Sequence, residues 1–151
     1  MSTGIESPSK AVAHRFVIEA PAGRGGMGTI YRARDLQTGH LVALKLLHGK
    51  GIQPQDLERF GREAQILSEL SHPNIVAYVA HGRPGEDTAY LAMEWLEGED
   101  LDERLGRGQL TLSESLLILQ KTAEALSVAH GQGIVHRDLK PSNFAQDGVR
   151  A

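Results

Sequence analysis

The sequence predicts an α+β fold: an antiparallel sheet carrying one helix comes first, and helices follow. Three observations predict it. Short apolar runs separated by Gly- or Thr-containing turns fill the chain up to Trp95. A single pattern of helical period interrupts them, after Pro54. Beyond Gly98 the apolar spacing becomes helical and stays so. There is no internal repeat.

The elements follow in order. Phe16, Ile18 and Ala20 alternate with Val17 and Glu19, as in a strand. A glycine-rich turn is expected from Gly23 to Gly28, then a strand over 30–34, a turn at Thr38-Gly39-His40 and a strand over 41–47. This is a meander, not a βαβ unit. Pro54 suits a first helical position, and Leu57, Phe60, Ala64 and Leu67 form an apolar helical face. His72-Pro73-Asn74 breaks that helix. Strands are expected over 75–80 and 89–95, with a turn from Gly82 to Asp87. A short helix is expected over 100–105. Thr111 and Glu114 fit a capping box for a longer helix. Its face would be Leu116, Leu119, Ala123 and Leu126, and Gly131 would cap its end.

The 151 residues suffice for one sizeable core, and 40% hydrophobic with 23% charged content is ordinary for a soluble globular chain. A net charge of -3 without a Lys/Arg run argues against a nucleic-acid partner. The absence of cysteine excludes disulfides, zinc-thiolate sites and cysteine nucleophiles. It fits a reducing cytoplasm, the expected location. Residues 1–13 read as a disordered tail. No apolar run is long enough to span a bilayer.

Gly23-Arg24-Gly25-Gly26-Met27-Gly28 matches G-x-G-x-x-G. A dinucleotide fingerprint should open a helix, but a strand follows. A Walker loop needs Lys and Ser/Thr after its last glycine, where Thr29 and Ile30 stand. A plain turn or a flap over nucleotide phosphates remains.

Lys45 interrupts the most apolar strand, and Glu63 falls on the apolar helical face between Phe60 and Leu67. Taken singly, Lys45 snorkels and Glu63 lies at the edge of the face. Together, a mutual ion pair accounts for both, since an unpartnered buried carboxylate is costly.

His136-Arg137-Asp138-Leu139-Lys140-Pro141-Ser142-Asn143 is the most informative stretch. With the glycine run, Val42-Ala43-Leu44-Lys45, Glu63 and His72-Pro73-Asn74, in that order, it resembles the protein kinases, closest in style to bacterial Hanks-type serine/threonine kinases. The resemblance covers roughly residues 14–150. It implies a protein-kinase-like α+β fold: a sheet lobe and hinge over 14–96, and a partial helical lobe over 97–151.

The resemblance also implies site residues. Gly23, Gly25, Gly26 and Gly28 would cover the phosphates of ATP, with Ile30 and Ala43 above the adenine. Lys45, oriented by Glu63, would contact the α- and β-phosphates. The backbone of Glu94 and Leu96 would hold adenine, Met93 would be the gatekeeper, and Asp100 would reach the ribose or cap a helix. Asp138 would be the base, Lys140 would neutralise the transferring phosphoryl group, and Asn143 would hold Mg²⁺. His136 would pack in a core. The acceptor would be a protein Ser/Thr hydroxyl.

Ala22 stands where the family usually has a larger apolar residue. No Asp-Phe-Gly follows the loop; Asp147-Gly148 comes too soon after Asn143 and lacks the Phe. The expectation is therefore a fragment of a longer kinase, without phosphotransfer by itself and with part of the 112–130 helix uncovered. The alternative is a catalytically inactive remnant serving as a nucleotide-binding or interaction module.

Overall fold

The computed structural model describes residues 11–25 and 27–145. Most of the expected tail, Gly26 and the Asp147-Gly148 pair lie outside the described residues. The chain divides into two units. Residues up to Ala64 and Val79–Trp95 make the first; Gln65–Tyr78 and the residues from Leu96 onward make the second.

The first unit is built on a five-stranded sheet of order β1-β2-β3-β5-β4. The strands are β1 Phe16–Gly25, β2 Gly28–Asp35, β3 Leu41–His48, β4 Tyr78–Gly85 and β5 Thr88–Glu94. β1 pairs antiparallel with β2, β2 with β3 and β3 with β5. Pro21 lies on edge strand β1, where a missing N–H is tolerated, and a register shift sits beside it, between Pro21 and Gly23. The β2–β3 turn closes with Gly39 at φ 74°, a left-handed conformation that favours glycine.

Alternation along β3 sends side chains to two faces. Val42, Leu44 and Leu46 join Phe16, Ala33 and Ala92 in one buried cluster. Lys45 and Leu47 point to the other face, where the register also puts Leu91 and Ala89. The helix α1, Pro54–Glu69, begins on its proline as expected and buries Leu57, Phe60 and Ala64.

Arg15 clamps the chain entering β1 to the end of β2. Its Nε and Nη2 donate to the two oxygens of Asp35 at 2.8 and 2.7 Å. Asp35 is fully buried. The Arg15 guanidinium holds its carboxyl at about 2, well below the usual carboxylate range, against the opposing effect of burial.

The second unit holds α2, Leu101–Gly106, and α3, Leu112–Gly131. Both start with capping boxes, from Asp100 with Glu103 and from Thr111 with Glu114. The buried Asn74 donates through Nδ2 to the Lys121 carbonyl and to Glu124 Oε2, each at 3.2 Å, and so ties the loop after α1 to α3. Among the described residues no helix is long and apolar enough to cross a membrane.

Four expectations need correction. The strand expected over 75–80 is β4, Tyr78–Gly85, and the turn shrinks to Glu86-Asp87. Gly82 belongs to β4 and packs against the Tyr90 ring, where a Cβ would come 3.0 Å from it. The glycine segment is mostly strand: β1 continues to Gly25 and β2 starts at Gly28. The α3 face as expected leaves out the helix's buried residues, Ala125 and Ala129; Leu116 and Leu119 are exposed, in keeping with the expectation that part of this helix is uncovered. Gly131 is the last helical residue, Gln132 is the cap, and Gly133 takes the left-handed φ of 76°.

Candidate functional site

The strand register brings the expected nucleotide-facing residues of the first unit together. Ile30 lies opposite Lys45, and Ala43 opposite Met93. Paired residues share a face, so Ile30, Ala43, Lys45, Leu91 and Met93 lie on one side of the sheet. The expected adenine-facing and phosphate-facing side chains thus lie on adjacent strands.

Lys45 is 8% exposed. Its Nζ lies 2.8 Å from Glu63 Oε1, so the ion pair expected from two misplaced charges is present. Glu63 is not buried as its place on the helix suggested; its side chain is 48% exposed. The reason is angular: α1 buries Phe60 and Ala64, and Glu63 stands beside that stripe at the solvent edge. The Lys45 Nζ also lies 5.8 Å from the centroid of the Phe60 ring. The sequence marked Phe60 as core only.

The glycines have different reasons to be glycine. A Cβ on Gly28 would stand 2.5 Å from the Leu46 carbonyl oxygen, so the β2–β3 approach itself excludes a side chain. A Cβ on Gly23 would meet nothing within 4 Å. Internal packing does not demand glycine at 23, which leaves room for a ligand above the strand. Gly25 pairs with Gly28 at the end of the hairpin. Glu94 ends β5 opposite Val42, and Leu96 lies two residues on, in the second unit.

The expected catalytic-loop residues belong to the second unit. Asp138 and Lys140 have side chains 77% and 55% exposed, and their charged groups are 3.4 Å apart. Arg137 between them and His136 has φ 65°, unusual for a non-glycine residue. The Asp138 N–H donates to His136 Nδ1 at 3.3 Å. His136 is exposed and not a core residue, so its expected packing role is corrected to a local hydrogen bond.

A 3₁₀ turn, Pro141–Asn143, carries Asn143. Asn143 Oδ1 is buried and meets no hydrogen-bond donor among the described residues. A buried amide oxygen without a donor is rare and suits a hard cation. The backbone fixes this turn: the Leu101 N–H donates to the Phe144 carbonyl at 2.8 Å, and Asp100 bridges to Ala145. The Asp100 carboxylate is engaged as the N-cap of α2, accepting from the Glu103 N–H at 2.8 Å. Among the described residues no His, Cys, Asp and Glu cluster could hold a metal by itself.

The family profile described as protein kinase domain matches residues 16–149. The chain is 44% identical over 130 residues to serine/threonine-protein kinase pkn2 of Myxococcus xanthus, covering 85% of this chain and 16% of that protein. It is 39% identical over 142 residues to pkn3 of Myxococcus xanthus, covering 92% and 26%. It is 40% identical over 136 residues to PknA of Mycobacterium tuberculosis, covering 86% and 32%. The chain thus spans less than a third of the length of these relatives. With its antiparallel sheet, its one helix against that sheet and its ordered motifs, the chain belongs to the protein kinase domain family.

Proposed function

We propose that the chain supplies the nucleotide-holding part and the catalytic loop of a serine/threonine protein kinase, which transfers the γ-phosphoryl group of ATP to a protein hydroxyl. The single observation that carries the reading is the Lys45–Glu63 pair at 2.8 Å. A lysine inside an apolar strand, held by a carboxylate from a neighbouring helix, is an odd device for stability and an apt one for phosphate. Residues 14–96 would form the nucleotide lobe and hinge, and residues from 97 the start of the helical lobe.

Each residue has a role in this reading. Lys45 contacts the α- and β-phosphates, and Glu63 limits where its ammonium can go. Gly23, Gly25, Gly26 and Gly28 let backbone N–H groups approach the phosphates. Ile30 and Ala43 pack on the base, Met93 limits the depth of its pocket, and the backbone of Glu94 and Leu96 bonds it. Asp100 Oδ1 already accepts from the Glu103 N–H, so its second carboxylate oxygen is the one that would accept from the ribose.

Asp138 accepts the proton of the Ser/Thr hydroxyl as that oxygen bonds to the γ-phosphorus and the bond to the bridging oxygen of ADP breaks. Lys140 offsets the charge on the transferring group. Asn143 Oδ1 is the magnesium ligand this chain offers, and its lack of a donor fits that role. Bound magnesium neutralises charge on the phosphates.

A chimera tests the reading. Residues 16–145 replace the matching segment of pkn2 from Myxococcus xanthus. The folded chimera is expected to label serine or threonine on a general protein acceptor, and Asp138→Asn to abolish the labelling. A folded chimera without transfer, beside an active pkn2 parent, contradicts the proposal.

A further inference from the structure

We propose that Phe60 is a second positioning residue for Lys45: its ring face confines the ammonium that Glu63 holds from one side only. The inference rests on the reading of Lys45 as the phosphate contact. Phe60 and Glu63 are three residues apart on α1, a spacing that brings side chains to neighbouring positions on one helix surface. Both reach the same atom, Glu63 Oε1 at 2.8 Å and the Phe60 ring centroid at 5.8 Å from Nζ. That separation lies inside the range in which a ring quadrupole attracts a cation.

The exposures show why a second residue is needed. The Lys45 side chain is 10% exposed, but that of Glu63 is 48% exposed. A half-solvated carboxylate on a long side chain is a loose guide. Phe60 is 1% exposed and cannot move without disturbing the buried stripe of Leu57 and Ala64. An ammonium has three donors. Glu63 takes one of them, and among the described residues no other acceptor meets it. The ring limits the ammonium without using a donor, so two stay free for phosphate oxygens.

Replacing Phe60 by leucine keeps an apolar side chain but opens space in the core, so that variant alone is ambiguous. A series of mono-, di- and trifluorophenylalanine at position 60 keeps size and apolarity while draining charge from the ring face. Mg-ATP affinity, measured by calorimetry on the whole chain, is expected to fall stepwise to a total of about two- to fivefold, the size of a partly sheltered cation–π contact. The Lys45 ε-methylene protons are expected to show an upfield ring-current shift that Phe60→Leu removes. Lys45-dependent binding that stays flat across the fluorinated series, or ε-methylene protons without the shift, overturns the inference. Binding that is equal in parent and Lys45→Ala sinks the kinase-site reading instead, and the ring-current shift still reports on the contact.

Discussion

The Lys45 ammonium and the Glu63 carboxylate meet at 2.8 Å, although the lysine side chain is nearly buried and the glutamate is half in water. The two ends of the pair should therefore respond differently to substitution. Replacing a buried cation by an apolar side chain of similar length is often neutral or stabilising, provided the partner is not stranded. Glu63 can turn to solvent. Lys45→Met is expected to leave the urea unfolding midpoint unchanged or raised. Glu63→Gln leaves the buried ammonium with a weaker acceptor and should cost about 1 kcal/mol. A large stability loss in Lys45→Met would assign the lysine to the fold.

Gly28 and Gly23 should separate stability from binding. Alanine at 28 forces the β2 and β3 backbones apart at the Leu46 carbonyl. Overpacking of this kind costs roughly 1–3 kcal/mol, readable by urea titration. Alanine at 23 meets open space and should leave stability nearly unchanged. Its effect is expected in Mg-ATP affinity, where a side chain would stand between the strand and the phosphates.

Acid should release the Arg15–Asp35 clamp. The Asp35 carboxyl sits at about 2 in the folded protein, against an ordinary 3.8. A lowered folded value means stability that is fully present above the unfolded value and is lost as pH falls through the folded one. The window is therefore pH 3.8 down to about 2, and the loss is roughly 1–2 kcal/mol. Asp35→Asn should be less stable than the parent at neutral pH and should lack this part of the acid dependence. Equal pH profiles for the two proteins between pH 4 and 2 would refute the clamp.

The uncovered side of α3 predicts behaviour in solution. Leu112, Leu116 and Leu119 are 76%, 57% and 64% exposed, and their spacing puts them on one helix face. Contiguous apolar surface of this kind promotes association. Leu116→Lys with Leu119→Lys is expected to leave thermal stability within about 0.5 kcal/mol, as for ordinary surface changes. It should also reduce light scattering at high protein concentration. A marked loss of stability would show that the face is packed.

Much of the fold was legible because its signals are local. The capping box at Thr111 names its own helix start, the N-cap reading of Asp100 fits another, and Pro54 marks a third. The Lys45–Glu63 pair was legible because each charge contradicts its apolar surroundings. The misreadings share a different cause. Leu116 and Leu119 carry a clear helical period, but a period reports which face is apolar and not whether anything covers it. Gly82 reads as a turn residue; the need for glycine there arises from the Tyr90 ring, which sequence spacing does not show. Phe60 near Lys45, Asn74 on α3 and Arg15 on Asp35 are contacts between residues distant in sequence. No local pattern encodes them.

The most direct test of the central claim is Mg-ATP binding to the 151-residue chain, read as the shift of its thermal midpoint in parent and Lys45→Met proteins. The midpoint is expected to rise with nucleotide in the parent and little or not at all in Lys45→Met, although the variant is folded and at least as stable. An equal nucleotide-dependent rise in both proteins would contradict it.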